Sequence, residues 1–405
     1  MKATLLLATE ADEGSGHIAP WTGFVGQALQ QGFGVHMAAP NVEQLEQWMG
    51  KRPEIGIWQA PVFRSASSTN QASPKSWPEL LLSLGYGDAA QLTGAVKAWL
   101  SVLKCLKPDI VLADYAPALL AAARVAGIPS LEVGSGFCVA PLLPGLQHFP
   151  GVKGGDRSVM DQAASALTSA FNQAFQSCGR DERMASLSSM AGWPVQRVVL
   201  SPAQLDHYGQ RPGVVYAGFL GAHKADEETA ASAALQPPWL AKEPPQINEE
   251  QSARVLGYLK PETPGLQTLI AQLRAANITA YLVVPQSSSP QIEQLGSVTV
   301  VNQLIDLPQA LQQADIYLSN GGLHGVGQAL QAGCWPVVLP MQAEQVAMAR
   351  NLVALQWGGL YLPDTHGTID QHVQTVFATR PRHTPLAPNP ISAEDTLFGL
   401  VREIV

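Results

Sequence analysis

A histidine and an aspartate in the first third of the chain have the residue types and positions that general-base chemistry needs. His17 lies in the turn Gly14-Ser15-Gly16-His17-Ile18-Ala19-Pro20, after the apolar run Thr4–Thr9. Asp114 ends another apolar run, in Leu112-Ala113-Asp114-Tyr115. A neutral imidazole takes a proton from a hydroxyl group more readily when a carboxylate holds its other nitrogen. If both runs are strands of one parallel sheet, the pair lies at one edge and can serve as a catalytic base.

A glycine-rich segment in the last third has the composition of an anion-binding turn. The segment Ser319–Gly333 lies between two strand-like runs, Ala314–Ser319 and Trp335–Pro340. Its glycines precede a short helical pattern, which Gly333 closes. The first N–H groups of a helix have no partner inside it, and the helix dipole places about half a positive charge there. The segment therefore favours binding of an anion, most naturally a phosphate.

The turn that holds His17 also fits the pattern G-x-G-x-x-A of dinucleotide-binding proteins, so an NAD(P)-binding oxidoreductase is an alternative. Three features count against it. Acidic residues (Glu10, Asp12 and Glu13) precede the glycines and would repel a pyrophosphate. Pro40-Asn41 stands where an acid for the ribose is expected, and the turn is longer than the pattern requires. We interpret the three acids as part of a solvated loop.

Length and composition limit the possible classes of protein. With 405 residues, 46% of them apolar, the chain is long enough for two domains with separate cores. The net charge of −8 does not suggest a nucleic-acid or anionic-membrane surface. The four cysteines are far apart, which argues against a zinc site and a disulfide framework and favours a reduced, cytosolic compartment. No apolar run is long enough for a signal-peptide core or a transmembrane helix.

Strand-like and helical patterns alternate along the chain, which predicts an α/β protein with parallel sheets. Ligands of such sheets bind beyond the carboxyl ends of the strands. The predicted strands are Thr4–Thr9, Val35–Ala39, Ile55–Ala60, Asp109–Ala113, Ser130–Val133, Arg254–Leu259, Thr279–Pro285, Val298–Val301 and Ile316–Ser319. A stretch with charge runs and prolines, residues 222–251, predicts a linker between domains 1–221 and 252–390. Residues 391–405 read as a final helix.

These motifs together resemble the GT-B nucleotide-sugar glycosyltransferases, especially the bacterial and plant UDP-glucuronosyl/glucosyltransferase-like enzymes. The resemblance runs over most of the chain. In that family a Gly-His-x-x-Pro turn carries the catalytic base, and Gly16-His17-Ile18-Ala19-Pro20 matches it. Asp114 stands where the family has the Asp that orients the base. The resemblance implies two doubly wound, Rossmann-like domains that face each other across a cleft, with the final helix crossing back to the first domain.

The resemblance also assigns the donor site to the second domain. The family signature is matched by Gly321, Gly322, Gly333, Pro336, Glu344 and Gln345, and the last two residues would hold the sugar hydroxyls. Three positions depart from it: Asn320 replaces a phosphate-contacting His, Gly325 replaces a Ser or Thr, and Gln328 replaces a Glu that accepts from the ribose. His324 is a candidate for a missing contact and Lys260 for a missing charge.

The implied activity is inverting, metal-independent transfer of a sugar from a UDP- or dTDP-sugar to a hydroxyl of a small or lipid-like acceptor. The chain contains no Asp-x-Asp motif for a divalent metal, and the donor is a substrate, so no cofactor is expected. The departures at Asn320, Gly325 and Gln328 keep open a degenerate nucleotide-sugar-binding protein without transfer activity. A sugar-nucleotide epimerase shares the architecture, but the Gly-His-x-x-Pro turn fits transfer better.

Overall fold

The computed structural model describes residues 3–11, 14–49, 52–65, 73–143, 145–221, 237, 253–285, 291–303, 305–380, 386 and 391–405. The chain divides into two compact units. The first comprises Met1–Gly221 with Ile391–Val405, and the second comprises Ala222–Pro390. Apart from Pro237, the predicted linker 222–251 lies outside the described residues, as do Asp12 and Glu13.

In its described part, the first unit has a seven-stranded parallel sheet with the order β3-β2-β1-β4-β5-β6-β7. The strands are β1 (Thr4–Thr9), β2 (Gly34–Ala39), β3 (Ile55–Gln59), β4 (Ile110–Asp114), β5 (Ser130–Gly134), β6 (Gln196–Val199) and β7 (Val215–Tyr216). The helices are α1 (Thr22–Gln30), α2 (Val42–Met49), α3 (Trp77–Ser83), α4 (Ala89–Leu106), α5 (Pro117–Ala126) and α6 (Arg157–Ser177).

Central strands and helices of this unit follow from local sequence. Leu5, Leu6 and Leu7 of β1 are all buried, as expected for a parallel strand covered on both faces. Helix α5 has Pro117 in its first turn and is closed by Gly127 with φ +71°, so both ends carry their usual residue types. Helices α3 and α4 are separated at Gly85, which has φ +99° and where a Cβ would lie 2.5 Å from the Arg64 carbonyl oxygen.

The second unit, as far as it is described, has a mostly parallel sheet with the order β10-β11-β9-β8-β12-β13-β14, in which only the β10–β11 pair is antiparallel. Its strands are β8 (Arg254–Tyr258), β9 (Thr279–Val283), β10 (Ile292–Leu295), β11 (Val298–Val301), β12 (Ile316–Ser319), β13 (Trp335–Val338) and β14 (Gly359–Leu360). Its helices are α7 (Leu266–Ala275), α8 (Leu307–Leu311), α9 (Leu323–Gln331), α10 (Ala343–Leu355), α11 (Pro363–His366) and α12 (Ile369–Thr379).

The last helix, α13 (Ala393–Ile404), belongs to the core of the first unit. The ring of Phe398 stacks on Phe24 with centroids 4.6 Å apart and on Phe33 with centroids 5.8 Å apart. The Glu394 carboxylate also accepts a hydrogen bond of 2.6 Å from the Gly221 N–H. Two distant parts of the sequence therefore build one core. Within the described residues, no helix is both long and apolar enough to cross a membrane.

Candidate functional site

The carboxyl edge of the first sheet has a switch point, where the strand order of the sheet reverses. From β1 the chain passes to β2 and β3 on one side and then returns to β4 on the other. The register places Thr9 of β1 beside Asp114 of β4. Residues Gly14–His17 form a 3₁₀ turn beyond β1, with Gly16 exposed. Ligands of open parallel sheets bind at such switch points, and both predicted residues lie there.

His17 and Asp114 form a direct pair. His17 Nδ1 lies 2.9 Å from Asp114 Oδ1, and the side chains are 21% and 5% exposed, respectively. Trp21 Nε1 donates to the other carboxylate oxygen at 3.0 Å. Both oxygens of Asp114 are therefore engaged, which fixes the carboxylate and the ring that it holds. With Nδ1 donating to Asp114, the ring presents Nε2 for proton transfer.

The charge balance around His17 favours its protonated form. Burial by itself lowers the pKa of His17, but the charges of Asp114 and Cys138, with their hydrogen bonds, raise it well above its usual value. The Tyr115 ring stacks on the imidazole with centroids 6.1 Å apart. Sequence reasoning missed Cys138. The available signal was the glycine-rich turn Gly134-Ser135-Gly136 directly after a strand, next to the strand that carries Asp114.

Glu10 is a correction to the sequence interpretation, because it lies in the interior and not in a solvated loop. It is 8% exposed. Its Oε2 accepts hydrogen bonds from Tyr86 Oη (2.8 Å) and the Ala118 N–H (3.0 Å). Its Oε1 accepts from Trp99 Nε1 (2.6 Å) and the Leu119 N–H (2.8 Å). The carboxylate thus caps the start of α5, whose N-terminal end favours a negative charge. Burial nevertheless raises the pKa of Glu10 to about 7, against the lowering effect of these hydrogen bonds.

The second unit has an equivalent switch point between β8 and β12, and a side chain bridges it as well. Asn320, directly after β12, accepts a 2.8 Å hydrogen bond at Oδ1 from the Lys260 N–H, which follows β8. Its Nδ2 donates to Thr263 Oγ1 (3.1 Å) and to the Leu339 carbonyl (3.0 Å). Both amide hydrogens of this buried side chain are therefore used within the unit. A hydrogen bond from the Asn320 amide to a phosphate would therefore require one of these bonds to break.

His324 and Gln328 form a pair one turn apart on α9. Gln328 Nε2 lies 2.8 Å from His324 Nε2. Burial lowers the pKa of His324 to about 4, so this histidine is neutral near pH 7 and supplies no positive charge to a phosphate. Lys260, the other candidate, has an exposed side chain at the same edge of the sheet. Charge for an anion at this edge is therefore available from Lys260 and from the N-terminus of α9.

The glycines from Gly321 to Gly325 have different structural surroundings. Gly321 has φ +92°, and a Cβ there would lie 2.7 Å from a methyl of Val338. Gly322, the N-cap of α9, has open space around it. A Cβ at Gly325 would lie 2.5 Å from Tyr317 Oη, so a Ser or Thr at this position would require Tyr317 or the helix to shift.

The predicted sugar-binding pair opens α10. Gln345 is buried, and its Oε1 accepts a 2.6 Å hydrogen bond from the Met341 N–H. Glu344 lies in the first turn of α10 and is partly buried. A Cβ at Gly321 would lie 3.3 Å from the Gln345 Cβ, so the start of α10 packs directly on the turn that contains Gly321. Lys260, Asn320 to Gly325 and Gln345 are thus brought to one edge, beyond the ends of β8, β12 and β13.

The turn after β1 differs from a dinucleotide-binding turn. Two 3₁₀ segments, Gly14–His17 and Ala19–Trp21, separate β1 from α1, which begins at Thr22. In the dinucleotide fold the glycines open the helix directly, so that its first N–H groups face the pyrophosphate. The large aromatic side chains Trp21, Trp77 and Trp99 of this unit belong to its interior, since each is at most 1% exposed.

Comparisons with known proteins establish the fold. No protein-family model and no curated protein matches the sequence. Among solved structures, the calicheamicin glycosyltransferase CalG4 is 15% identical, with a TM-score of 0.64 over 100% of this chain and 97% of that chain. The spinosyn rhamnosyltransferase SpnG, solved with thymidine diphosphate, is 16% identical (TM-score 0.63, 99% of both chains). A UDP-glucosyltransferase from Polygonum tinctorium is 12% identical (TM-score 0.61, 100% and 99%). The chain therefore has the GT-B fold of the nucleotide-sugar glycosyltransferases.

Proposed function

We propose that this protein is an inverting glycosyltransferase that moves a sugar from a nucleoside-diphosphate sugar to a hydroxyl of a small or lipid-like acceptor. The His17–Asp114 pair carries the proposal. A carboxylate with both oxygens engaged holds one ring nitrogen at 2.9 Å and leaves the other to accept a proton. The pair lies at the switch point of a sheet whose fold is shared with glycosyltransferases.

In the proposed reaction, the acceptor hydroxyl gives its proton to His17 Nε2 as its oxygen bonds to the anomeric carbon of the sugar. The bond from that carbon to the diphosphate oxygen breaks on the opposite face, which inverts the configuration. Asp114 stabilises the imidazolium that forms. The leaving diphosphate is stabilised by the first N–H groups of α9 and by Lys260, without a metal ion.

Thymidine and uridine diphosphates are the leading donor nucleotides for this chain. Two of the similar structures, the spinosyn rhamnosyltransferase SpnG and the Streptomyces glycosyltransferase SsfS6, are complexes with thymidine diphosphate. A third is named as a UDP-glucosyltransferase. We therefore propose a UDP- or dTDP-sugar as donor, with Glu344 and Gln345 at the sugar.

A second candidate is a nucleotide-sugar-binding protein without transfer activity. The edge of the second sheet near Asn320 supports this candidate. Both amide hydrogens of Asn320 are engaged and His324 is neutral. A side chain larger than hydrogen at position 325 would meet the Tyr317 hydroxyl. A site with fewer phosphate contacts binds the donor less tightly and stabilises its leaving group less. Binding of a donor with no product for any acceptor would favour this candidate.

His17→Gln tests the proposed base. Thermal unfolding with UDP, dTDP, GDP, their sugar conjugates and NAD(P) first identifies the donor, because a ligand held at a hundredfold excess over Kd stabilises the folded state by about 2.7 kcal/mol. The variant should then keep this shift while its transfer rate falls ~10²–10⁴-fold. His36→Gln, the same change on β2, should retain transfer.

Each other result contradicts the proposal in a different way. Near-normal transfer by His17→Gln would rule out His17 as the base. A thermal shift with NAD(P) alone would favour an oxidoreductase, and a shift with a donor but no transfer by the unmodified protein would favour the binding protein.

A further inference from the structure

Four non-glycine residues in the described part of the chain have a positive φ angle, and three of them end helices. Lys107, Asn277 and Gln356 lie at the C-terminal ends of α4, α7 and α10, where a left-handed residue is a common way to close a helix. Tyr115, with φ 50°, lies instead between the end of β4 and the start of α5. Helix termination therefore does not explain its conformation.

A tyrosine is an unfavourable residue for this backbone conformation. The left-handed region brings the Cβ of an L-residue close to a backbone carbonyl oxygen, so glycine or asparagine is the usual residue there. Strained residues persist where the surrounding structure compensates the strain, and they cluster at functional sites. Glycine or asparagine would suit the backbone at position 115 better, and the aromatic ring is what neither of them could supply.

The strained turn presents the ring of Tyr115 at the carboxyl edge of the first sheet. Two residues, Tyr115 and Ala116, separate the end of β4 from the start of α5. So short a strand-to-helix turn places the side chain of its first residue beyond the end of the strand, as the strained nucleophile elbow of α/β-hydrolases does. There the Tyr115 ring stacks on the imidazole of His17, with centroids 6.1 Å apart and 20° between the ring planes.

The stacked ring and the Asp114 carboxylate restrict His17 in complementary ways. The 2.9 Å contact between His17 Nδ1 and Asp114 Oδ1 fixes one atom of the imidazole but leaves rotation of the ring about that contact. A second ring that lies nearly parallel to the imidazole opposes this rotation, because a turned imidazole would strike the tyrosine or lose contact with it. Asp114 and Tyr115, which are adjacent in the sequence, therefore fix the direction of Nε2 together.

We propose that Tyr115 is a positioning residue for His17, whose strained backbone holds an aromatic ring against the imidazole and thereby directs Nε2. Its effect on the reaction rate rests on the proposed glycosyl transfer, because it acts through the base of that reaction. Its effect on the imidazole needs no substrate. A ring pair of this kind changes an equilibrium by roughly two- to tenfold, and misplacement of a reacting group lowers a rate by up to roughly a hundredfold.

Transfer kinetics of ring-deleting and ring-retaining variants test the effect on the proposed reaction. Tyr115→Gly and Tyr115→Asn suit the backbone but lack the ring, so each should fold and lower kcat roughly ten- to a hundredfold with little change in the acceptor KM. Tyr115→Phe keeps the ring and should restore most of kcat. Lys107→Gly, which relieves the same conformation (φ 49°) at the exposed end of α4, should leave kcat unchanged. A loss in Tyr115→Phe equal to that in Tyr115→Gly, or a raised acceptor KM with unchanged kcat, would contradict positioning by the ring.

Proton NMR of the His17 ring tests the inference without any substrate. The signal of the Nδ1–H that donates to Asp114 is assigned by its loss in His17→Gln. Its exchange with water should be roughly two- to tenfold faster in Tyr115→Gly and Tyr115→Asn than in the unmodified protein, in Tyr115→Phe or in Lys107→Gly. Faster exchange in a protein that transfers no sugar would refute the proposed function and still support Tyr115 as the residue that positions His17. Equal exchange rates in all these proteins, or no such signal in the unmodified protein, would overturn the proposal.

Discussion

Nδ1 of His17 and Oδ1 of Asp114 are 2.9 Å apart, although 97 positions separate the two residues in the sequence. The contact bridges β1 and β4, the two strands between which the chain order of the first sheet reverses. In the second unit, the Lys260 N–H and Asn320 Oδ1 bridge β8 and β12 in the same topological position, at 2.8 Å. The first bridge joins two titratable groups that can move a proton, whereas the second joins neutral groups and serves structure.

The pH dependence of transfer should report the charge of His17. Its pKa is raised well above the usual value, and a base must be neutral to accept a proton. We therefore expect the transfer rate to fall as pH is lowered through that raised pKa. Asp114→Asn removes the carboxylate that raises the pKa, so the falling limb should move to lower pH while the maximal rate drops ~10²-fold or more.

Transfer rates measured across pH for the unmodified protein and for Asp114→Asn check this prediction. Asp161→Asn, at an exposed aspartate on α6, should leave the limb in place. If the fall in transfer rate at low pH stays at the same pH in Asp114→Asn, then Asp114 positions His17 without raising its pKa. The same pKa affects stability: the contribution of His17 is present below its unfolded pKa and is lost as pH rises through its folded pKa.

Glu10→Gln should destabilise the first unit by about 1–3 kcal/mol. Each carboxylate oxygen accepts a hydrogen bond from one backbone N–H of α5. In the glutamine variant, the side-chain NH₂ would face one of these N–H groups, and two donors cannot form a hydrogen bond with each other. The pKa of Glu10 is raised from 4.5 to about 7, so the unmodified protein should also lose stability as pH rises through that window. Glu10→Gln should lack that loss.

Urea unfolding at several pH values measures both effects. Glu46→Gln, an exposed position on α2, should reproduce the stability and the pH slope of the unmodified protein. Equal stability of Glu10→Gln and Glu46→Gln at all pH values would show that the buried carboxylate contributes nothing to the start of α5.

Gly325→Ala should destabilise the second unit by about 1–3 kcal/mol, because its Cβ would meet the hydroxyl of Tyr317, which is 2% exposed and cannot move aside. In a Tyr317→Phe background the same change should cost much less, and a double-mutant cycle measures the difference. Gly322→Ala, with open space around it, is the matched control. Additive effects of the two substitutions would exclude the steric explanation.

The fold was accessible from sequence where local patterns are strong. Runs such as Thr4–Thr9 and Ile316–Ser319 are short, apolar and flanked by turn residues, and both are strands with the predicted bounds. The strands β7 and β14 have two residues each and β10 is exposed, so they carry no apolar pattern to detect. Their positions depend on pairing with neighbours that are distant in the sequence.

A hydrogen-bond partner of a site residue could be predicted from the sequence only where the strand order of the sheet implies it. Asp114 ends a strand of the same sheet as the turn of His17, so their proximity follows from parallel order. The partners of Glu10, which include Tyr86 and Trp99, come from segments with no motif, and a charged residue beside glycines looks solvated. Asn320 likewise looks available for a ligand until Thr263 and Leu339 are seen to occupy its amide.

The position of α13 in the core of the first unit has a consequence for synthesis on the ribosome. Phe398 completes the stack on Phe24 and Phe33, yet it is translated only after the whole second unit. When residues 1–221 have left the ribosome, the first unit therefore still exposes the apolar surface that α13 later covers. The second unit is continuous in sequence and can close its core first, so the unit that begins the chain is the last to be finished.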